Sequence, residues 1–227
     1  MGSVKIINLS KSIFEDTDRE ADELRSYLGA KGVFLVNIMS SPGAGKTTTL
    51  VSLISRLKEH FRIGVMEADI DGDVDAVKIA DKVGCKSIQL HTGGMCHLDA
   101  AMTRQGLDAL GIDDLDLVFL ENVGNLVCPA EFDTGAHLNM TILSVSEGED
   151  KPLKYPLIYQ KCGLVLINKI DAMPYFNFDL EKCIANIKLR NDSSTVIPIS
   201  AKTGENMDEV VSYFIKIISD GGKVYNA

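Results

Sequence analysis

Val33-Phe-Leu-Val-Asn-Ile-Met-Ser-Ser-Pro-Gly-Ala-Gly-Lys-Thr-Thr48 is an apolar run that ends in a glycine-bearing turn and opens into a helix. It reads as strand, phosphate loop, helix. Val33 to Met39 is almost uninterruptedly apolar, as suits a parallel strand buried on both faces. Gly43 and Gly45 let backbone N–H groups turn inward around phosphate oxygens. The helix opening near Lys46 adds the positive end of its dipole, and Lys46 brings a point charge to the β- and γ-phosphates. Thr47 is placed to bind Mg²⁺. The general pattern Gly-x4-Gly-Lys-Ser/Thr wants glycine at position 40, where this chain has Ser40. Strand, turn, lysine, threonine and helix nevertheless fall in the order the chemistry requires. Gly43, Ala44, Gly45, Lys46, Thr47 and Thr48 are therefore the candidate phosphate-binding set, and a nucleoside triphosphate is the expected ligand.

The rest of the chain alternates strand and helix around this stretch. Before it, Glu15 to Lys31 carries Ala21, Leu24, Tyr27 and Leu28 as one apolar stripe, a predicted N-terminal helix. After it, Thr47 to His60 places Leu50, Leu53, Ile54 and Leu57 on one face. Strands are predicted at Arg62–Ala68, Lys86–His91, Leu115–Glu121, Met140–Val145, Gly163–Asn168 and Val196–Ser200. Helices are predicted at Asp73–Val83, His97–Leu110, Asp179–Asn191 and Met207–Ser219. The expected fold is α/β: a doubly wound, mostly parallel sheet of about seven strands with helices on both faces. Residues 1–227 are expected to form a single phosphate-loop domain, with a helical extension over 1–31 and a loose tail over 220–227.

In such a sheet, ligands sit beyond the carboxyl ends of the strands, and several of those ends carry polar clusters. Asn168-Lys-Ile-Asp171 follows the strand ending at Ile167. Its aspartate can accept hydrogen bonds from guanine N1 and N2, a pairing adenine cannot supply. Ser200-Ala-Lys202 follows the last strand, where the backbone N–H of Ala201 and the lysine would close over the base. The acidic run Glu67-Ala-Asp-Ile-Asp-Gly-Asp-Val-Asp75 fails as a calcium loop. Counted from Asp69, its sixth and twelfth positions are Val74 and Ala80 where glycine and glutamate are needed. It reads as a switch loop in which Asp69 reaches Mg²⁺ or its water, while Asp71, Asp73 and Asp75 form a solvated face. Glu121 closes its strand and precedes Asn122-Val-Gly-Asn125. A carboxylate there can hold Mg²⁺ or orient the attacking water, and the glycine lets the loop change shape when the γ-phosphate leaves. Lys46, Asp69 and Glu121 are the candidate catalytic residues.

Cys96-His97 opens a predicted helix, and Cys128 follows seven residues behind Glu121. Thiolate with imidazole suits Zn²⁺ or Ni²⁺ better than Mg²⁺. Buried small hydrophobes are the competing reading of the cysteines, and three ligands fall short of a closed tetrahedral site. A two-fold partner, water or a backbone nitrogen would complete it. Cys85, Cys162 and Cys183 read as structural, and His60, His91 and His137 have no partner in sequence. A formal charge of −9 argues against nucleic acid and anionic membrane as partners. The cysteine usage, the lack of an export-like N-terminus and the absence of a spanning run point to a soluble protein of the reducing cytoplasm.

Ser40-Ser-Pro-Gly-Ala-Gly-Lys-Thr-Thr48, Thr92-Gly-Gly-Met-Cys-His-Leu-Asp-Ala100, Glu121-Asn-Val-Gly-Asn-Leu-Val-Cys-Pro129 and Asn168-Lys-Ile-Asp171 together resemble the hydrogenase nickel-incorporation GTPases, the HypB family. The resemblance runs from about Val33 to Phe214, and the string around Glu121 is its most specific part. It implies that Lys46 and Thr47 hold phosphates and Mg²⁺, that Asp69 and Glu121 act at the metal and water, and that Asp171 reads guanine, with Asn168, Lys169, Ser200, Ala201 and Lys202 around the base. It also implies that Cys96, His97 and Cys128 form a Ni²⁺ or Zn²⁺ site at the interface of a GTP-promoted homodimer. The partners implied are an accessory nickel chaperone and a hydrogenase large-subunit precursor. Some relatives store nickel on N-terminal cysteines or a histidine-rich tail. The first thirty residues here contain neither Cys nor His, so tight nickel storage is not expected. Competing readings are a nucleotide-dependent dimerisation switch whose hydrolysis is incidental, and a metallochaperone for a urease-type or cobalamin-type client. Lys154, in Lys151-Pro-Leu-Lys-Tyr-Pro156, reads first as a solvated lysine and second as a candidate for reaching the partner's nucleotide.

Overall fold

The computed structural model of the chain describes residues 5–8, 17–69 and 82–221. Its centre is one all-parallel sheet of eight strands: β1 (Lys5–Asn8), β2 (Phe34–Ser40), β3 (Ile63–Asp69), β4 (Lys86–His91), β5 (Leu117–Glu121), β6 (Leu138–Ser144), β7 (Leu164–Asn168) and β8 (Thr195–Pro198). They lie in the order β1-β4-β3-β5-β2-β6-β7-β8. All seven strands expected from the sequence are present. The eighth, β1, falls in the expected helical extension over 1–31, ahead of the helix read from Glu15. A four-residue edge segment carries too little periodicity to declare itself, and it becomes a strand by pairing with β4.

Helices cover both faces. On one, α2 (Lys46–Leu57) and α8 (Met207–Ser219) bury Leu50, Leu53, Leu57, Val210 and Phe214 against Val36, Ile38, Phe119 and Ile142. On the other, α1 (Thr17–Lys31) and α3 (Ala100–Leu110) bury Leu24, Leu28, Met102 and Leu107 against Leu35, Val118 and Leu120. The far end of that face is covered by α6 (Pro156–Lys161) and α7 (Leu180–Lys188), through Ile158, Tyr159, Cys183 and Ile187. Two short helices, α4 (Cys128–Glu131) and α5 (Lys151–Lys154), lie in the connections. Cys162 and Cys183 are core residues whose thiols burial pushes far up, consistent with a structural part.

The expected helix His97–Leu110 starts late. Ala100 is its first residue, because Asp99 caps it by accepting from the Met102 N–H at 2.8 Å. Cys96 and His97 therefore lie in the preceding bend, not at a helix N-terminus. The expected helix Asp73–Val83, apart from its last two residues, and Asp71, Asp73 and Asp75 lie outside the described residues. So do residues 222–227 of the expected loose tail. Among the described residues no helix is long and apolar enough to cross a membrane. Since every strand is parallel, Ser40, Asp69, Glu121, Ser144 and Asn168 all end at one edge of the sheet, with β2 between β5 and β6.

Candidate functional site

The loop between β2 and α2 takes its shape from two left-handed glycines, Gly43 at φ 78° and Gly45 at φ 99°. At Gly45 the requirement is also spatial, since a Cβ there would stand 2.5 Å from the Asn168 side-chain nitrogen. The first-turn amides of α2 have no partner within the helix by construction and face the loop. Lys46 Nζ donates to Ser40 Oγ at 3.2 Å, so the serine that replaces the usual first glycine parks the lysine over the loop. Lys46, Thr47 and Thr48 line a cavity of about 580 Å³, within the range of small-ligand sites. The ends of β3 and β5 and Lys169 form its other walls.

The segment after β7 is bonded directly to the back of this loop. Asn168 Nδ2 donates to the Ala44 carbonyl at 3.0 Å, and Lys169 Nζ donates to the Gly43 carbonyl at 2.7 Å. Lys169 itself is left-handed, φ 66°, which turns the chain sharply toward Asp171. Ser200 Oγ donates to Asp171 Oδ1 at 2.6 Å while accepting from the Thr203 N–H at 3.1 Å, so the carboxylate is oriented by a hydroxyl that is itself held. A carboxylate offers about four acceptor positions, so this bond aims Asp171 without exhausting it. Ala201 differs from expectation. Its N–H donates to Asn168 Oδ1 at 3.1 Å, because the hook closed by Gly204 N–H on the Ser200 carbonyl at 2.8 Å turns it inward toward β7. Lys202 is exposed and lies outside the cavity lining.

Oxygen donors gather across the cavity. Thr47, Asp69 and Glu121 all line it, and so does Glu67, which the sequence reading passed over. Glu67 and Glu121 are buried and stand side by side on adjacent strands in register. The signal for Glu67 was present, since residues 67 and 69 of one strand share a face. A hydroxyl and carboxylates opposite Lys46 are the hard ligands that Mg²⁺ takes, so these residues fit that ion.

Beyond Glu121 the chain passes close over the phosphate loop. A Cβ on Gly124 would meet Pro42 at 3.3 Å and Lys46 Nζ at 3.4 Å. Asn125 then joins the two cysteine segments: its Nδ2 donates to the Cys96 carbonyl at 3.1 Å, and its Oδ1 accepts from the N–H groups of Val127 and Cys128 at 2.8 and 3.3 Å. This clasp brings Cys96 and Cys128 into hydrogen-bond contact. The Cys96 thiol donates, which pushes Cys96 up and Cys128 down, with Asn125 lowering Cys128 further. His97 Nδ1 lies 3.9 Å from Cys96 Sγ, and its ring stacks on Phe132 at 3.7 Å between centroids. Burial lowers the His97 pKa, favouring the neutral imidazole that ligates metals. Among the described residues no three His, Cys, Asp or Glu side chains converge as a closed metal-holding group. One chain presents two facing sulfurs with an imidazole beside them. Lys154 is exposed and paired with Asp150 of its own chain at 2.7 Å.

Residues 34–198 match the CobW/HypB/UreG nucleotide-binding domain family. The chain is 42% identical over 213 residues to the hydrogenase maturation factor HypB of Escherichia coli strain K12, covering 94% of this chain and 73% of that one. This chain belongs to the HypB family. The crystal structure of HypB from Helicobacter pylori in complex with nickel superimposes with a TM-score of 0.87 at 31% identity, over 94% of this chain and 100% of the other. That of the HypB from Archaeoglobus fulgidus superimposes with a TM-score of 0.82 at 35% identity, over 89% and 98%. The HypB fold thus spans nearly the whole chain.

Proposed function

We propose that this chain is a GTPase of hydrogenase maturation that handles nickel, coupling GTP binding and hydrolysis to the state of a Cys96–His97–Cys128 metal site. The observation that carries this reading is one continuous stretch. Glu121 borders the phosphate cavity, Gly124 lies against Lys46, and Asn125 clasps the segments of Cys96 and Cys128. The name and the nickel complex of the relatives support the client and the metal.

Guanine is read by Asp171, aimed by Ser200. Phosphates lie against the first-turn amides of α2, with Lys46 released from Ser40 to meet them; these groups are preorganised, so little rearrangement is needed as charge develops on the transferring phosphoryl group. Bound Mg²⁺ would supply neutralisation of phosphate charge, and Thr47, Asp69 and Glu121, with Glu67 beside Glu121, are the residues to hold it. Glu121 also orients the attacking water. Ni²⁺, or Zn²⁺, is cargo. Cys128 is the thiol that ionises first, and ligation releases the remaining thiol proton. Three ligands per chain leave room for a second set, so GTP promotes an isologous homodimer that brings two sets together. An accessory nickel chaperone and a hydrogenase precursor are the partners, in the cytoplasm.

Sedimentation and GTP hydrolysis with a GTP analogue, GDP or no nucleotide, each with and without Ni²⁺ or Zn²⁺, test the scheme. The expected result is turnover, together with a dimer favoured by the analogue and metal. A monomer under every condition overturns the coupling. A Cys96→Ala, Cys128→Ala double variant that still binds one metal per chain overturns the site, and hydrolysis limited to a single turnover leaves the dimerisation switch as the better description.

A further inference from the structure

On the sheet face opposite α2, three asparagines form a ladder across three adjacent strands, buried at Asn37 and Asn122 and half-buried at Asn139. Asn122, just after β5, donates from Nδ2 to Asn37 Oδ1 at 3.1 Å, and Asn37, in the middle of β2, donates from Nδ2 to Asn139 Oδ1 on β6 at 3.0 Å. Amide orientation is usually ambiguous, but here it is dictated. Asn122 Oδ1 accepts from the Val123 backbone N–H at 2.9 Å, and a backbone amide can only donate. Asn122 Nδ2 must therefore be the donor to Asn37, and the direction propagates to Asn139. Asn37 is 1% exposed and Asn122 is fully buried. An amide pair buried among Leu35, Val118 and Leu120 costs more than an apolar pair of the same shape unless it confers something in return.

The geometry points to the ladder as a positioning device that ties the root of the cysteine-bearing loop to the strand that carries the phosphate loop. Asn122 is the first residue beyond Glu121, and its N–H donates to the Ile38 carbonyl of β2 at 2.9 Å. Two residues on, Gly124 meets Lys46, and one more brings Asn125 to Cys128. With the root pinned from both backbone and side chain, Glu121 and Gly124 move with β2, so a change at Lys46 is passed to Asn125 instead of being absorbed at the strand end. Asn37 lies outside the cavity lining, and Asn122, which borders the cavity, spends its side-chain amide on Asn37 and the Val123 N–H; both act through Glu121 and Gly124 as positioning residues. This inference rests on the proposed function.

The hydrogen-bond direction makes the test specific. Asn139→Asp keeps the acceptor that Asn37 needs, and Asn139→Leu removes it. Asn37→Asp loses the donor to Asn139, and Asn122→Asp loses the donor to Asn37. With wild type as reference, kcat and KM for GTP, GTP-analogue and GDP affinity, melting temperature, and Ni²⁺ affinity in the analogue-bound and GDP-bound forms are measured. Asn37→Asp, Asn122→Asp and Asn139→Leu should lower kcat roughly ten- to a hundredfold with KM little changed, as loss of alignment does, and bring the ratio of the two Ni²⁺ affinities toward one. Asn139→Asp should keep both near wild type. Unchanged kcat and an unchanged ratio in Asn37→Asp and Asn122→Asp overturn the inference. So does an Asn139→Asp variant as impaired as Asn139→Leu while still melting near wild type, or a kcat loss matched by equal losses of nucleotide affinity and melting temperature. Wild-type protein that neither hydrolyses GTP nor changes its Ni²⁺ affinity with nucleotide overturns the functional reading itself, and the ladder's role with it.

Discussion

Replacing Asp171 by asparagine is the sharpest probe of the proposed base site, because its neighbours determine which way the new amide will face. Ser200 Oγ already accepts from Thr203 N–H and donates its own proton to position 171. The carbonyl oxygen of the introduced amide takes over as that acceptor, and its NH₂ group is left toward the ligand. Guanine presents N–H donors there, so one charge-assisted hydrogen bond is lost and a donor meets a donor. A bond to a charged group is worth about 1.5–3 kcal/mol, and an unmet polar group about 1–3 kcal/mol, of which the two share part. The expected loss is about 2–4 kcal/mol, a fall in GTP affinity of roughly 30- to 1000-fold. Xanthosine triphosphate carries a carbonyl where guanine carries its amino group and should gain in the same variant. Titration with a fluorescent nucleotide, competed by GTP and by xanthosine triphosphate, measures both. GTP affinity within about threefold of the parent would show that position 171 does not face the base, and a loss for both nucleotides would show that the substitution had disturbed the Ser200 hook instead of reversing one recognition contact.

Gly45→Ala combines a left-handed φ of 99° with a Cβ 2.5 Å from Asn168 Nδ2, so it should cost about 2–3 kcal/mol of stability from strain and the displaced Asn168–Ala44 bond. A melting temperature equal to the parent's counts against that packing. Glu121→Gln keeps the shape but removes the charge, and should slow single-turnover GTP hydrolysis by about a hundredfold while GDP titrates as before; parental turnover removes Glu121 from the reaction. His137 stacks on Phe34 and accepts from the Leu35 N–H at 3.1 Å through Nδ1, with burial and then the Arg25 guanidinium lowering its pKa to about 4. The unfolded chain, near 6.5, binds the proton first, so stability is intact above pH 6.5 and falls as pH drops toward 4, by about 3 kcal/mol in all. Urea denaturation across that window should show the slope for wild type and a flatter one for His137→Gln, and equal slopes would remove His137 as its source.

The sequence alone determined the seven principal strands, five of the helices between and around them, the phosphate loop and the two strand-end clusters at Asn168 and Glu121. All of these rest on local patterns: apolar runs, 3.6-residue stripes, and residue types that a turn or phosphate demands of the backbone itself. Tertiary structure decided what depends on pairing and depth. β1 is a strand because β4 offers it an edge. Cys96 escapes the helix because Asp99, three residues on, takes the cap, a local signal that the apolar periodicity does not carry. Glu67 joins the site because β3 and β5 align it with Glu121, and Ala201 turns inward because a hook on its far side closes on Ser200. The asparagines at 37, 122 and 139 have no relation in sequence. Only a parallel sheet that places β2 between β5 and β6 makes them one ladder, since a hydrogen bond between side chains depends on distances of about 3 Å that separations of 85 and 102 residues do not encode.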